Sequence, residues 1–228
     1  MKMKKTLLIA LLGLLSLKVA AQDIVSHDLG DFNQIVLSGK MNVTLVEGDR
    51  NHFEVTFHNT TGDRFTWNVT DGKLNLRLRI NTQREGSADV RITYKKLDEL
   101  DVSQASVRAE EAVESDIFTL KAANGANVVL ESRSKDFTVN ADGNSAVTLS
   151  GETLYLTINA NSKAKIDARA LQARSAIVAT QFNAEVFVWG TEKLDAKAGS
   201  NSVIFYKGTP EIFKTSTSMA GSVEQFSY

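Results

Sequence analysis

The 228-residue sequence predicts a nearly all-β chain whose larger part is a right-handed parallel β-helix, a β-solenoid of about 19–20 residues per coil. Three observations predict it. Period-2 alternation is frequent, whereas few windows carry the i, i+3, i+4 spacing of an amphipathic helix. A triplet of small residue, any residue, then Val or Ile recurs from Ala105 to Val223. Around each triplet the same positions are apolar, small or turn-forming, so each recurrence is a structural unit.

In chain order, the first element is an export signal over 1–21. Lys2, Lys4 and Lys5 form a basic head, Thr6 to Leu17 is apolar, and Val19-Ala20-Ala21 places small residues before cleavage at Gln22. The apolar stretch is too short to span a bilayer comfortably, and no later segment could span one. Cleavage would remove four of 26 basic residues and none of 27 acidic ones, leaving a net charge of −5. Nucleic acid is therefore not an expected partner. The absence of Cys excludes disulfides and a lipidated N-terminal cysteine.

Residues 22–96 read as a β-strand region packed on the solenoid or continuous with it. Ile35 and Leu37 flank Ser38-Gly39 together with Val43 and Leu45, Phe53-x-Val55-x-Phe57 follows, and Asp71-Gly72 introduces Leu74-x-Leu76-x-Leu78-x-Ile80. Val90-x-Ile92-x-Tyr94 completes the set, which has the look of a meander with one buried face.

From 97 to 228 the triplets anchor at Val107, Val128, Val147, Ile166, Val186, Val203 and Val223. Two residues on come Ala109, Leu130, Leu149, Ala168, Val188, Phe205 and Gln225, on the same inward face. Eight residues before the anchor lie Leu120, Val139, Ile158 and Val178, and six before it Ala122, Ala141, Ala160 and Thr180. Polar turn residues such as Asn124-Gly125 and Gly143-Asn144 separate the two strands. Gln104, Asn144, Lys163, Asn183 and Ser200 then form a ridge of turn residues. No six-residue subperiod supports the left-handed hexapeptide type. Thr215, Thr217 and Gln225 replace apolar residues in the last coil, as a terminal cap would.

Phe32-x-x-Ile35 with Gly39 and Val43, Asp71-Gly72-x-Leu74-x-Leu76, Ile92-Thr93-Tyr94-x-x-Leu97-x-x-Leu100, the triplets, and Tyr206-Lys207-Gly208-x-Pro210 occur in that order. On these residues the chain resembles the bacterial family named putative auto-transporter adhesin, head GIN domain. The resemblance implies an exported β-helical protein. Gly is scarce at the repeat turns, where Gln104, Lys163 and Phe182 stand instead.

Catalytic patterns are sparse. His27, His52 and His58 precede the repeats and make no HExxH, and neither a nucleophile elbow nor a phosphate loop occurs. No catalytic residue, metal ligand or cofactor is assigned. Asp98, Glu99 and Asp101, with Glu110, Glu111, Glu114 and Asp116, bracket the first coil. They are the acids a polysaccharide lyase or hydrolase would need, or else a solvated loop that repels edge pairing.

Candidate contact residues lie at the other end. Phe187 and Trp189, Ile204 and Tyr206, and Phe226 occupy positions expected to face outward, making the late strands apolar on both faces. Such a stripe is covered by the N-terminal strands, covered by a second copy through the C-terminal coils, or exposed as a platform for sugar rings or a protein. The leading expectation is a non-catalytic exported protein acting by surface contact, in adhesion or envelope assembly, with envelope glycans or surface proteins as partners. The alternative is a polysaccharide-active enzyme.

Overall fold

A computed structural model describes residues 24–79 and 86–226; the predicted signal and Ile80 lie outside the described residues. The strands are β1 (Ile24–Asp28), β2 (Gln34–Ser38), β3 (Met41–Glu47), β4 (His52–His58), β5 (Phe65–Thr70), β6 (Lys73–Leu78), β7 (Ser87–Tyr94), β8 (Glu99–Ser103) and β9 (Ser106–Ala109). They continue as β10 (Val113–Ala123), β11 (Asn127–Ala141), β12 (Ala146–Ala160), β13 (Lys165–Thr180), β14 (Glu185–Ala198), β15 (Val203–Lys207), β16 (Ile212–Thr217) and β17 (Ser222–Gln225).

These strands stack as two faces of one solenoid. The first face runs β5, β6, β2, β8, β10, then the C-terminal halves of β11 to β14, then β16. The second runs β1, β4, β7, β3, β9, then the N-terminal halves of β11 to β14, then β15 and β17. All these pairings are parallel except β1 with β4, β4 with β7 and β5 with β6.

The N-terminal strands are therefore continuous with the solenoid, and they are not a meander. Gly39 turns β2 into β3 across the solenoid rather than back along itself, so the two strands join different faces and pair with β8 and β9. Strands β6 and β7 repeat the arch one level further out. Spatial order thus departs from chain order: the β2–β3 arch lies between β6–β7 and β8–β9.

Two of the inward columns are ladders of like residues. On the second face Val55, Val90, Val43, Val107, Val128, Val147, Ile166, Val186 and Ile204 follow one another in register, each 3 % exposed or less. β-Branched side chains suit this site because they pack on a pleated surface with few rotamers to lose. Leu74, Ile35, Leu100, Leu120, Val139, Ile158 and Val178 form the facing ladder, all buried. Buried side chains of this size each contribute on the order of 1.5–3 kcal/mol. No single coil could enclose them, so the stack is what makes the core.

The turns explain how one period tolerates different sequences. Two consecutive residues take positive φ at the turns Asn124-Gly125, Gly143-Asn144, Ser162-Lys163, Phe182-Asn183, Ser200-Asn201 and Met219-Ala220, and Gln104 alone does so before Ala105. Asn and Gly reach this region at little cost, whereas Lys163 and Phe182 are held there. The holding comes from the stack, since Lys163 N–H donates to the Phe182 carbonyl at 2.9 Å and Asn144 N–H to Ser162 at 3.0 Å. The small residue closing the turn is buried at Ala105, Ala126, Ser145, Ala164, Ala184 and Ser202.

Ser145 stands out in that column because its hydroxyl is buried without a hydrogen-bond partner among the described residues. Ser202, by contrast, bonds to Thr180 at 2.9 Å. A buried unpaired hydroxyl costs about 1–3 kcal/mol. Ser145→Ala should therefore raise stability by about 1 kcal/mol in a urea or thermal unfolding series. No gain, or a loss, would show that the hydroxyl is satisfied.

Both ends of the core are closed differently. At the N-terminal end an aromatic group covers it, with Phe53 5.8 Å from Phe65 and 5.4 Å from Trp67, and His27 4.8 Å from Trp67. At the C-terminal end Thr215 and Thr217 sit in register with Ala196 and Ala198, and β16 is exposed throughout. The last level thus mixes polar inward residues, Thr215, Thr217 and Gln225, with the apolar Phe213 and Val223.

Candidate functional site

Two outer surfaces and one acidic cluster carry the chemistry of this chain. The aromatic stripe is partly rearranged from its expected form. Phe187 and Trp189 do face outward on β14, but Ile204 is 0 % exposed, paired with the inward Val186. Tyr206 pairs with the inward Val188 and packs its ring 4.7 Å from Phe213. The anchor of this coil is Ile204, not Val203, because the small residue after the two left-handed positions Ser200 and Asn201 is Ser202. Phe205, which the sequence pattern placed inside, is consequently the outward residue.

Phe205 stacks on Phe187 with centroids 4.7 Å apart and planes at 18°, and Phe226 meets Phe187 edge-on at 5.6 Å. Arg169 from the preceding coil lies 4.7 Å over the Phe187 ring, and Lys207 lies 4.2 Å over Trp189. The faces of Phe187 are therefore occupied by neighbouring coils, and the stripe offers ring edges and cations. The N-terminal strands stack at the opposite end of the solenoid and do not cover it.

The acids of the first coil are mostly neutralised in pairs. Glu110 takes a two-pronged bond from Arg91 at 2.6 and 2.8 Å, Glu99 pairs with Lys121 at 2.7 Å, and Asp116 with Lys135 at 2.7 Å. Glu114 lies 3.4 Å from Arg133. Burial works to raise the Asp98 carboxyl, but Lys96, Asn33 and Ser115 donate to it and together leave it below the usual carboxylate range. The Asp101 carboxyl is instead pushed up, chiefly by burial. Among the described residues no three His, Asp or Glu side chains group to hold a metal ion.

A trough of about 550 Å³ lies on the outer second face over β4, β7, β3, β9 and β11. Register builds its floor in two rows. One row is Thr56, Asp89, Asn42, Ser106 and Asn127; the other is Glu54, Arg91, Thr44, Arg108 and Val129. Asn42 donates to Asp89 at 2.8 Å, and His58 bonds the other Asp89 oxygen at 2.7 Å. The Asn42 bond first, and His58 after it, hold the Asp89 carboxyl below its ordinary range despite some burial. Arg108 Nε donates to Thr44 Oγ1 at 3.2 Å. Ile24 and Val129, 65 % and 47 % exposed, stand at the margins. Sequence reasoning missed this site. Alternation does mark Asn42, Thr44, Ser106 and Arg108 as outward, but only the displaced order β7, β3, β9 brings them side by side.

A larger groove of about 760 Å³ follows the corner where each coil bends, past Glu114, Arg133, Glu152 and Glu192. Its cations are committed to carboxylates, as in Arg174 with Glu192 at 2.8 Å and Lys135 with Asp116. This is a cross-coil ladder of exposed ion pairs, which solvent screens and which add little to stability.

The described residues form a parallel β-solenoid with broad outer side-chain rows, and no helix among them is long and apolar enough to cross a membrane. The chain belongs to the family described as putative auto-transporter adhesin, head GIN domain, whose model matches residues 31–210. Among solved structures it is similar to a putative adhesin from Bacteroides fragilis at 19% identity, with a TM-score of 0.79 over 89% of this chain and 96% of that one. A putative adhesin from Parabacteroides merdae matches at 16% identity and TM-score 0.72, over 92% and 98%. A protein described as a putative lipid binding protein from Parabacteroides distasonis matches at 18% and 0.73, again over 92% and 98%. At such identities the likeness is one of fold. No match is found among curated proteins.

Proposed function

We propose that this is an exported, non-catalytic adhesin-like protein that acts by surface contact, in adhesion or envelope assembly. The observation that carries this reading is the outer second face. It runs unbroken from the polar trough over β4 to β11 to the aromatic ladder of Phe187, Phe205 and Trp189 on β14 and β15, with Phe226 just past β17. The basic head and apolar stretch before Gln22 support export, and the family supports the adhesin-like role. Phe187, Trp189 and Phe226 are its proposed contact residues at the C-terminal coils, toward envelope glycans, surface proteins or a second copy.

Binding of the purified protein to envelope extracts tests the reading, with Trp189→Ala as the variant. The ring, half-buried under Lys207, should be dispensable for folding and needed for binding. A sharp fall in melting temperature with binding intact would make the ladder structural.

The alternative, a polysaccharide-active enzyme using the acids from Asp98 to Asp116, predicts depolymerisation of an acidic polysaccharide that Asp101→Asn abolishes. Our reading predicts no such activity and a different effect. Burial raises the folded-state pKa of Asp101, so its ionised form costs stability above that pKa and nothing once protonated in both states. Asp101→Asn should thus be more stable than wild type at neutral pH, with the gain vanishing below about pH 4. Thermal melts across pH check the sign.

A further inference from the structure

We infer that the trough on the second face is a saccharide site that takes a short glycan with an acidic sugar seated at Arg108. This rests on the surface-contact reading above and specifies where and what the protein contacts. Neighbouring strands of a sheet lie about 4.8 Å apart, so the floor repeats at roughly the length of one pyranose unit. Each step offers short polar side chains, Asn42, Ser106 and Asn127 in one row and Thr44 in the other. Such groups both give and take hydrogen bonds, which is what vicinal hydroxyls need.

The floor is ordered before anything binds. Asn42 is fixed on Asp89, Asp89 on His58, and Arg91 on Glu110. A ligand would therefore not have to freeze these side chains on arrival.

Arg108 sets the charge preference. Its Nε is anchored on Thr44, which aims the guanidinium, while its two terminal nitrogens make no hydrogen bond or ion pair among the described residues. Arg91, two strands along the row, is closed by Glu110, which feels the Arg108 charge without bonding to it, whereas Arg108 is an exposed fork of the kind that matches a carboxylate. Glu54 stands in the same row, three strands away at the other end. That spacing admits one carboxylate at Arg108 and disfavours a polyanion along the whole floor. The apolar margins Ile24 and Val129 suit the C–H faces of sugar rings.

The test is a titration of the purified protein with pairs of oligosaccharides that differ only in whether one unit carries a carboxylate, a uronic or sialic acid against its neutral parent. The acidic member should bind at least ten-fold tighter, and Arg108→Gln should erase that preference with an unchanged melting temperature. Arg108→Lys, which keeps the charge and loses the fork, should retain part of it. Arg174→Gln, in the corner groove, should change nothing. Equal binding of both members overturns the assignment, as does binding that survives Arg108→Gln and is lost in Arg174→Gln or Trp189→Ala. If no saccharide binds while envelope proteins do, the site fails and the surface-contact reading stands; if neither binds, both fail.

Discussion

Gly39→Ala is expected to destabilise the protein by about 4 kcal/mol or more, at the exceptional end of single-substitution effects. Gly39 sits at the β2–β3 turn with φ of +104°, a conformation L side chains rarely adopt. A Cβ there would lie 2.1 Å from the Leu78 carbonyl oxygen and 3.0 Å from its carbon. Both belong to backbone at the end of β6, so no rotamer change relieves the clash, and β2 must part from β6. Levels of a solenoid touch only their neighbours, so the damage should begin at the N-terminal end. Hydrogen exchange should accelerate in β5 and β6 well before β13 and β14. A loss under 1 kcal/mol, or uniform acceleration, would contradict the stacking order of β6, β2 and β8.

Phe137→Ala should cost about 3–5 kcal/mol, a large part of a typical stability of 5–15 kcal/mol. Phe137 is 1 % exposed and lies 5.2 Å from the equally buried Phe118 of the preceding coil. Truncation would leave a cavity that the rigid ladders on either side cannot close, and would cost Phe118 its ring contact. Phe137→Leu refills most of the volume and should cost under about 1.5 kcal/mol. Chemical unfolding of the two variants side by side separates a packing role from a merely hydrophobic one: equal losses would sink it.

The Phe118–Phe137 column shows what the sequence could and could not reveal. Inward positions six and eight residues before each anchor are legible because Ala122, Ala141 and Ala160, and Leu120, Val139 and Ile158, keep one character from coil to coil. The next inward column runs Phe118, Phe137, Leu156, Ala176, Leu194 and Phe213, too varied in size to read as a repeat. The turn ridge from Gln104 to Ser200 was legible, and all five of its residues take positive φ.

Ile204 illustrates the converse problem. Asn201-Ser202-Val203 and Ser202-Val203-Ile204 both satisfy the triplet, and a one-residue slip exchanges the faces of a strand. The structure selects the second, so that Ile204 and Tyr206 turn inward and Phe205 outward. The trough was invisible for a different reason. Its rows join β7, β3 and β9, whose spatial order no local pattern encodes. Strand identity came from periodicity, whereas the site came from long-range stacking.

The most direct measurement of the central claim is a hydrogen-exchange footprint of the purified protein bound to envelope material. Contact through the outer second face predicts slowed exchange in β3, β7, β9 and the N-terminal half of β11, extending to β14 and β15, with the corner from Glu114 to Glu192 unchanged. Protection confined to that corner, or no protection anywhere, would contradict it.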